Sequence, residues 1–215
     1  MARKTAAIVH RRLGCVDYET AWQAMKRFTA ERRSDTPDEL WLCEHPPVYT
    51  LGQAGKPEHL LCDNGIPLIK TDRGGQITYH GPGQVVIYLL LDINRRNLGV
   101  RDLVHRIEQA IIDLLAQHGI AATRFSGAPG VYIGHANNED YPAKIAALGL
   151  RVRKGCTTHG LSLNVDMDLS PFQSINPCGY AGMPVTQMRD HGIQFSSEQI
   201  AESLAQHLTR LLETP

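Results

Sequence analysis

The chain has 215 residues, enough to bury one large core, and its 22 basic side chains balance 22 acidic ones, so net charge draws it neither to nucleic acid nor to a membrane. Its longest apolar run, residues 85–91, is far too short to cross a bilayer, and residues 1–5 show no signal-peptide core, so one cytoplasmic domain over 1–215 is expected. Five scattered cysteines without a C-x-x-C argue against a disulfide framework.

The overall balance hides a gradient. Residues 1–33 hold eight basic side chains against three acidic, and residues 166–215 hold two against six. A basic face of that kind suits an acidic carrier protein, and it also fits an ordinary solvated surface.

In chain order, residues 5–13 read as an opening strand. Asp17 then caps a helix on which Tyr18, Trp22, Met25 and Phe28 recur at helical spacing. Residues 40–43 and 48–51 read as short strands separated by His45-Pro46-Pro47, since two prolines forbid a continuous ladder. Residues 67–72 form another strand and lead into RGGQITYHGPGQ (73–84), expected as a glycine-rich loop between strands. It fits neither the P-loop nor the dinucleotide-binding pattern, because an apolar strand over 84–93 follows it instead of a helix.

Residues 100–119 carry a clear helical stripe, read as core and nothing more, with Gly119 as its stop. A turn-rich SGAPG (126–130) precedes a strand over 131–133 and a polar loop to Pro142. Ile145, Leu148, Leu150 and Val152, then Leu161 to Leu169 with strict period two, predict an antiparallel hairpin broken at Lys154-Gly155. That hairpin fixes Lys144 at the start of one strand, while Cys178 follows the other in a Pro177-Cys178-Gly179 loop, where a nucleophile and a base could meet. Residues 196–213 form a closing helix with Ser196 and Gln199 spaced as a capping box. Strands and helices mix without regular βαβ alternation, so the expected class is α+β, a mixed β-sheet packed with helices.

Four ordered motifs carry a resemblance: RGGQITYHGPGQ (73–84), GVYIG (130–134), KIAALGLRVRKGCTTHGLSLNV (144–165) and FQSINPCG (172–179). Together they resemble the lipoyl(octanoyl) transferases, whose fold is shared with the catalytic domains of biotin and lipoate protein ligases. The resemblance implies transfer of an octanoyl group from octanoyl-acyl carrier protein, through a cysteine thioester, to a lysine of lipoyl domains. The acceptors it implies are 2-oxoacid dehydrogenase E2 subunits and glycine cleavage H protein. It implies Cys178 as nucleophile and Lys144 as the lysine that activates it. Substrate contacts would come from Arg73, Gly74, Gly75, Gln76, Ile77, Thr78, Tyr79 and His80, from Ala147, Leu148 and Gly149, and from Gly160, Leu161 and Ser162. Neither cofactor nor metal is implied, and a monomer is expected. One departure is a longer segment, IGHANNEDYPA (133–143), before Lys144.

The residue types suit that chemistry. Thioester exchange onto a thiol replaces sulfur by sulfur, and the closing amide makes the second transfer downhill, so no ATP is needed. Lowering a thiol's pKa raises its ionised fraction and blunts its nucleophilicity, which leaves a net gain of only about three-fold. A positioned lysine matters more as a proton carrier, taking the thiol proton and returning one to the departing thiol. The other cysteines (Cys15, Cys43, Cys62 and Cys156) read as small buried hydrophobes. His80 and His159 could support the acyl carbonyl or a backbone amide, or be satisfied structural histidines, and Cys156 with His159 is at most half a zinc site. The rivals are an ATP-dependent lipoate or biotin ligase and a silent module that binds lipoyl domains.

Overall fold

A computed structural model describes residues 7–134, 142–177 and 182–213. Within them, ten strands and three helices form an α+β fold. They are β1 (Val9–Cys15), α1 (Tyr18–Ala30), β2 (Glu39–Glu44), β3 (Val48–Leu51), β4 (Leu68–Lys70), β5 (Ile77–His80), β6 (Gln84–Leu90), α2 (Val100–Gln117), β7 (Ala122–Phe125), β8 (Ala128–Ile133), β9 (Ala143–Arg153), β10 (Cys156–Asn164) and α3 (Ser197–Glu213). The larger sheet runs β1-β2-β6-β10-β9-β8-β7, and β4-β3-β5 form a smaller one. Each sheet is mixed: β1 with β2 and β3 with β4 are parallel, and the other pairs are antiparallel. Among the described residues no helix is long and apolar enough to cross a membrane.

Helices α2 and α3 cover one face of the large sheet, packing Ile107, Ile111, Leu114, Leu204 and Leu208 against Leu40, Ile87, Leu89 and Leu163. Helix α1 lies on the other face and buries Ala21 and Met25 against Trp41, Val86 and Tyr88. Strand β6 is therefore buried throughout and mostly apolar, because both of its faces are covered. A buried carboxylate pins the connections at one end of the sheet. Asp38, fully buried, takes Arg32, Arg95 (2.6 Å) and Arg96 (2.5 Å).

The Asp17 cap, the capping box at Ser196 and Gln199, and the β9–β10 hairpin lie where the sequence puts them. Lys154 and Gly155 both take positive φ, as a two-residue hairpin turn with the twist of its strands requires.

Five expectations are corrected. Residues 77–80 are a strand, not loop, because Ile77–His80 pairs with Val48–Leu51 while the flanking glycines mask it in sequence. Strand β1 is displaced to Val9–Cys15, an exposed edge with no apolar alternation to announce it. Strand β10 runs Cys156–Asn164 and not over 161–169: it starts early because Thr157 buries its hydroxyl by donating to Leu89 O (2.5 Å) and accepting from Leu91 N (3.0 Å), and it ends at Asn164 although the alternation continues, because Val165 and Met167 are buried beyond the strand. The edge strand β7 gave no signal, and β8 begins inside the stretch read as a turn. Of the cysteines, Cys43 is buried, but Cys15 and Cys62 are exposed and Cys156 is half-buried.

Candidate active site

On the α1 side of the large sheet, β9 and β10 place Ala147 opposite Ser162 and Gly149 opposite Gly160. Directly opposed residues share a face, so this patch of sheet is almost bare of side chains. Over it lie residues of the 73–80 segment, Tyr18, Phe172 and Pro177, and the space between is a cleft with Lys144 in its lining. Most of the sequence-derived candidates meet here: Arg73, Gly75, Gln76, Ile77, Thr78 and His80, Lys144, Ala147, Leu148 and Gly149, and Gly160, Leu161 and Ser162. Gly74 and Tyr79 do not line it. Gly74 is held by its own backbone to Leu150 O (3.0 Å), and Tyr79 points into the small-sheet cluster with Tyr49 and Ile77. Cys178 lies outside the described residues, as does the middle of the segment before Lys144; Pro177, the chain neighbour of Cys178, lines the cleft.

Lys144 is 4% exposed. Its backbone is gripped by the segment that follows residue 182: its N–H donates to Pro184 O (2.8 Å), and its carbonyl accepts from Thr186 N (3.0 Å). Its ammonium nitrogen sits 5.2 Å from the centre of the Tyr132 ring, in cation–π range. Gly130 makes room for that side chain. With φ of +146°, any Cβ there would lie 2.7 Å from Lys144 Cε and 3.3 Å from Nζ. Gly130 is fixed in turn by Glu108, whose buried carboxylate accepts its N–H (3.1 Å) and pairs with Arg124 (3.0 Å). The α2 helix thus does more than fill the core, and the only sequence hint was a charge set within its apolar stripe.

A buried hydrogen-bond chain ties the two sides of the cleft together. Asn164 Nδ2 donates to Thr186 O (2.9 Å), which fixes its amide so that Oδ1 accepts from Gln84 Nε2 (2.9 Å). Gln84 Oε1 must then accept from His80 Nδ1–H (2.7 Å), leaving His80 Nε2 as acceptor for the Thr50 hydroxyl (3.4 Å). Thr50 receives Arg73 Nε (3.1 Å), and the Arg73 guanidinium also donates to Gly74 O and Gln76 O, folding the glycine-rich segment around itself. Both ring nitrogens of His80 are therefore engaged within the protein. Burial, with nearby His45 secondary to it, pushes its pKa down to about 3, so the ring is neutral.

His45 is fixed in the same way. Its Nδ1–H donates to Val16 O and its Nε2 accepts the Tyr88 hydroxyl, both at 2.6 Å. His159, at a φ of +60°, donates Nε2–H to Asp72 (2.8 Å), while its buried Nδ1 finds no partner among the described residues. The hydrogen bond from His159, helped by one from Trp22, holds the Asp72 carboxyl at about 2 against the opposing effect of burial. Burial, the largest influence, with Arg73 and Arg151 adding to it, holds the His159 imidazole below its ordinary pKa although Asp72 raises it, which favours a neutral ring on the Asp72 carboxylate. Among the described residues no three His, Cys, Asp or Glu side chains converge as a metal site, so nothing there joins Cys156 and His159 as further ligands. Sequence reasoning missed Tyr18, Tyr88, Gln84, Asn164 and Asp72 as site residues; Gln84 and Asn164 lie within the quoted motifs, but nothing in their spacing marks them as partners.

Comparison with known proteins agrees with this architecture. Residues 17–209 match the lipoyl protein ligase A/B catalytic domain. An octanoyltransferase of Dechloromonas aromatica is 63% identical over 205 residues, covering 95% of this chain and 97% of the relative, and one of Nitrosomonas europaea is 58% identical, covering 90% and 92%. Among solved structures, lipoate-protein ligase A bound with ATP superimposes with a TM-score of 0.75 at 16% identity, covering 96% of this chain and 86% of the other. Biotin protein ligase from Aquifex aeolicus gives 0.55 at 10% identity, covering 96% and 68%. The ligases share the fold, the octanoyltransferases share the sequence, and the chain accordingly belongs to the lipoyl(octanoyl) transferases of the lipoyl protein ligase A/B catalytic-domain family and is an acyltransferase.

Proposed function

We propose that the chain takes an octanoyl group from octanoyl-acyl carrier protein onto the thiol of Cys178 and passes it to the lysine of lipoyl domains. The acceptors are those of 2-oxoacid dehydrogenase E2 subunits and glycine cleavage H protein, and the enzyme works in the cytoplasm as a single-domain monomer without a cofactor. One observation carries the reading. A buried lysine, Lys144, shares a cleft with the chain neighbour of Cys178, over a floor reduced to Ala147, Gly149, Gly160 and Ser162.

In the first half-reaction the Cys178 sulfur attacks the thioester carbonyl and the carbon–sulfur bond to the carrier breaks. The proton released by the cysteine travels through Lys144 to the departing carrier thiol. In the second, the acceptor amine attacks the acyl-cysteine, the bond to Cys178 breaks, and the amine's proton returns through Lys144 to the Cys178 sulfur. Sulfur exchanges for sulfur first and an amide forms last, so no nucleotide is consumed. The bare floor leaves room for the acyl chain, whose six methylenes bind with about 5 kcal/mol at about 0.8 kcal/mol each.

Intact-protein mass spectrometry after mixing with octanoyl-acyl carrier protein tests the reading. The parent chain should gain one octanoyl group and Cys178→Ala none, and adding a lipoyl domain should discharge the adduct onto it. Octanoylation that required ATP and free octanoate, with no enzyme adduct, would make the chain a ligase instead.

A further inference from the structure

A second groove lies between the C-terminal half of α1 and the β9–β10 turn. Lys26, Arg27, Arg33, Arg153 and Lys154 line it, all exposed, and among the described residues none forms a salt bridge to a carboxylate. Two acids also line it, and both are engaged: Asp72 by His159, Trp22 and Arg151, and Asp92 by the Arg95 backbone N–H. The groove is thus a concentrated positive surface on a chain of zero formal net charge. The last turn of α1 gives Arg27 a structural reason to be there, since cations suit a helix C-terminus, but Arg153 and Lys154 have no such reason.

Its place relative to the cleft decides what could use it. Asp72 joins the two, lining the groove while holding His159 of the cleft. Arg151, on the groove's near wall, stands seven residues along β9 from Lys144, about 23 Å at the rise of a strand. An acceptor lysine side chain reaches roughly 6 Å, so its domain must press against the cleft itself. A phosphopantetheine arm is worth four to five residues of extended chain and reaches roughly 15 Å, so the carrier's body stands off from Lys144, and a carrier seated on the groove must overhang its near wall by about 8 Å to bring its arm-bearing residue within reach of the cleft. We infer that this groove is the docking surface for an acidic face of the acyl carrier that delivers the donor thioester. The inference rests on the reaction proposed above and adds to it where the donor sits.

Two charge-reversed variants test it, Lys26→Glu/Arg27→Glu and Arg153→Glu/Lys154→Glu, each confined to exposed side chains. Each is assayed with octanoyl-acyl carrier protein and with the octanoyl thioester of free pantetheine as alternative donors. The expected result is a KM for the carrier donor raised roughly ten-fold or more, a KM for the pantetheine donor unchanged, and a parent KM for the carrier that rises with salt. Equal shifts for both donors, no shift for the carrier, or a shift in the acceptor's KM instead would overturn the docking assignment. Carrier binding followed by fluorescence anisotropy decides the same point without turnover. It separates a failure of the surface from a failure of the reaction, because variants that bind the carrier as tightly as the parent refute the groove whatever the chemistry.

Discussion

The two faces of the central strands are built to opposite rules. On the helix side, Leu89, Leu163, Leu114 and Leu204 interlock as bulky aliphatic groups, whereas on the cleft side the same strands present Gly160, Ser162, Ala147 and Gly149. One face fills space and the other keeps it clear. Stability and activity should therefore separate by face, and substitutions that mix them are the way to break the comparison. The largest effect belongs to Lys144. Lys144→Met removes the proposed proton carrier while leaving an unbranched chain of similar length in its buried place, so kcat/KM for octanoyl transfer should fall by about 10² to 10⁴ with the melting temperature held or raised. A melting temperature that fell with the activity would show the lysine to be part of the scaffold.

The converse substitution lies across the sheet. Leu114→Ala, wholly buried between α2 and the strands, should cost about 2 to 5 kcal/mol in urea unfolding and leave turnover per folded molecule as it was. An activity loss beyond the folded fraction would mean that the two faces are coupled.

That division also explains what could be read without a structure. The helix face writes itself into the sequence as period: α2, α3 and the apolar half of the β9–β10 hairpin are legible because large side chains recur at fixed spacing. The cleft face leaves its mark as composition, in glycines and small residues at 73–83, 147–149 and 160–162, so the motifs are visible but not the geometry. Strand β5 hides among such residues, and the polar start of β10 hides because Thr157 satisfies its hydroxyl inside the sheet. Least legible are contacts between distant residues. Glu108 holding Gly130, or Asn164 holding the segment paired with Lys144, follows from how helix and strands stack and not from any local pattern.

Gly130 sharpens the comparison at the point where the faces meet. A methyl group there runs into the Lys144 side chain and the Ala146 carbonyl, the latter at 2.7 Å, on a backbone that favours glycine. Gly130→Ala should displace the amine without removing it, lowering kcat roughly ten-fold to a hundred-fold, with a stability loss of about 1 to 3 kcal/mol. Addition of small primary amines should not rescue it, because the displaced Lys144 still occupies the space. Rescue would mean that the amine had left the cleft altogether.

The smallest effect per step comes from the histidines between the sheets. His80 titrates at about 3 when folded against 6.5 for the free side chain, with burial the chief cause, and His45 and His159 are lowered for the same reason. The unfolded chain then binds protons that the folded one refuses. Stability due to each ring is fully present above pH 6.5 and is lost as pH falls from there towards the folded value. For His80 that loss runs at up to about 1.4 kcal/mol for each pH unit, one proton's worth. Urea unfolding of the parent and of His80→Gln across pH 4 to 6 measures it directly: the variant should show a shallower decline, by about one proton. Equal slopes would mean that His80 already carries a proton in the native state. Its Nδ1–H and Nε2 could not then both be arranged as the chain from Arg73 to Asn164 requires, and the link between the two sides of the cleft would have to run some other way.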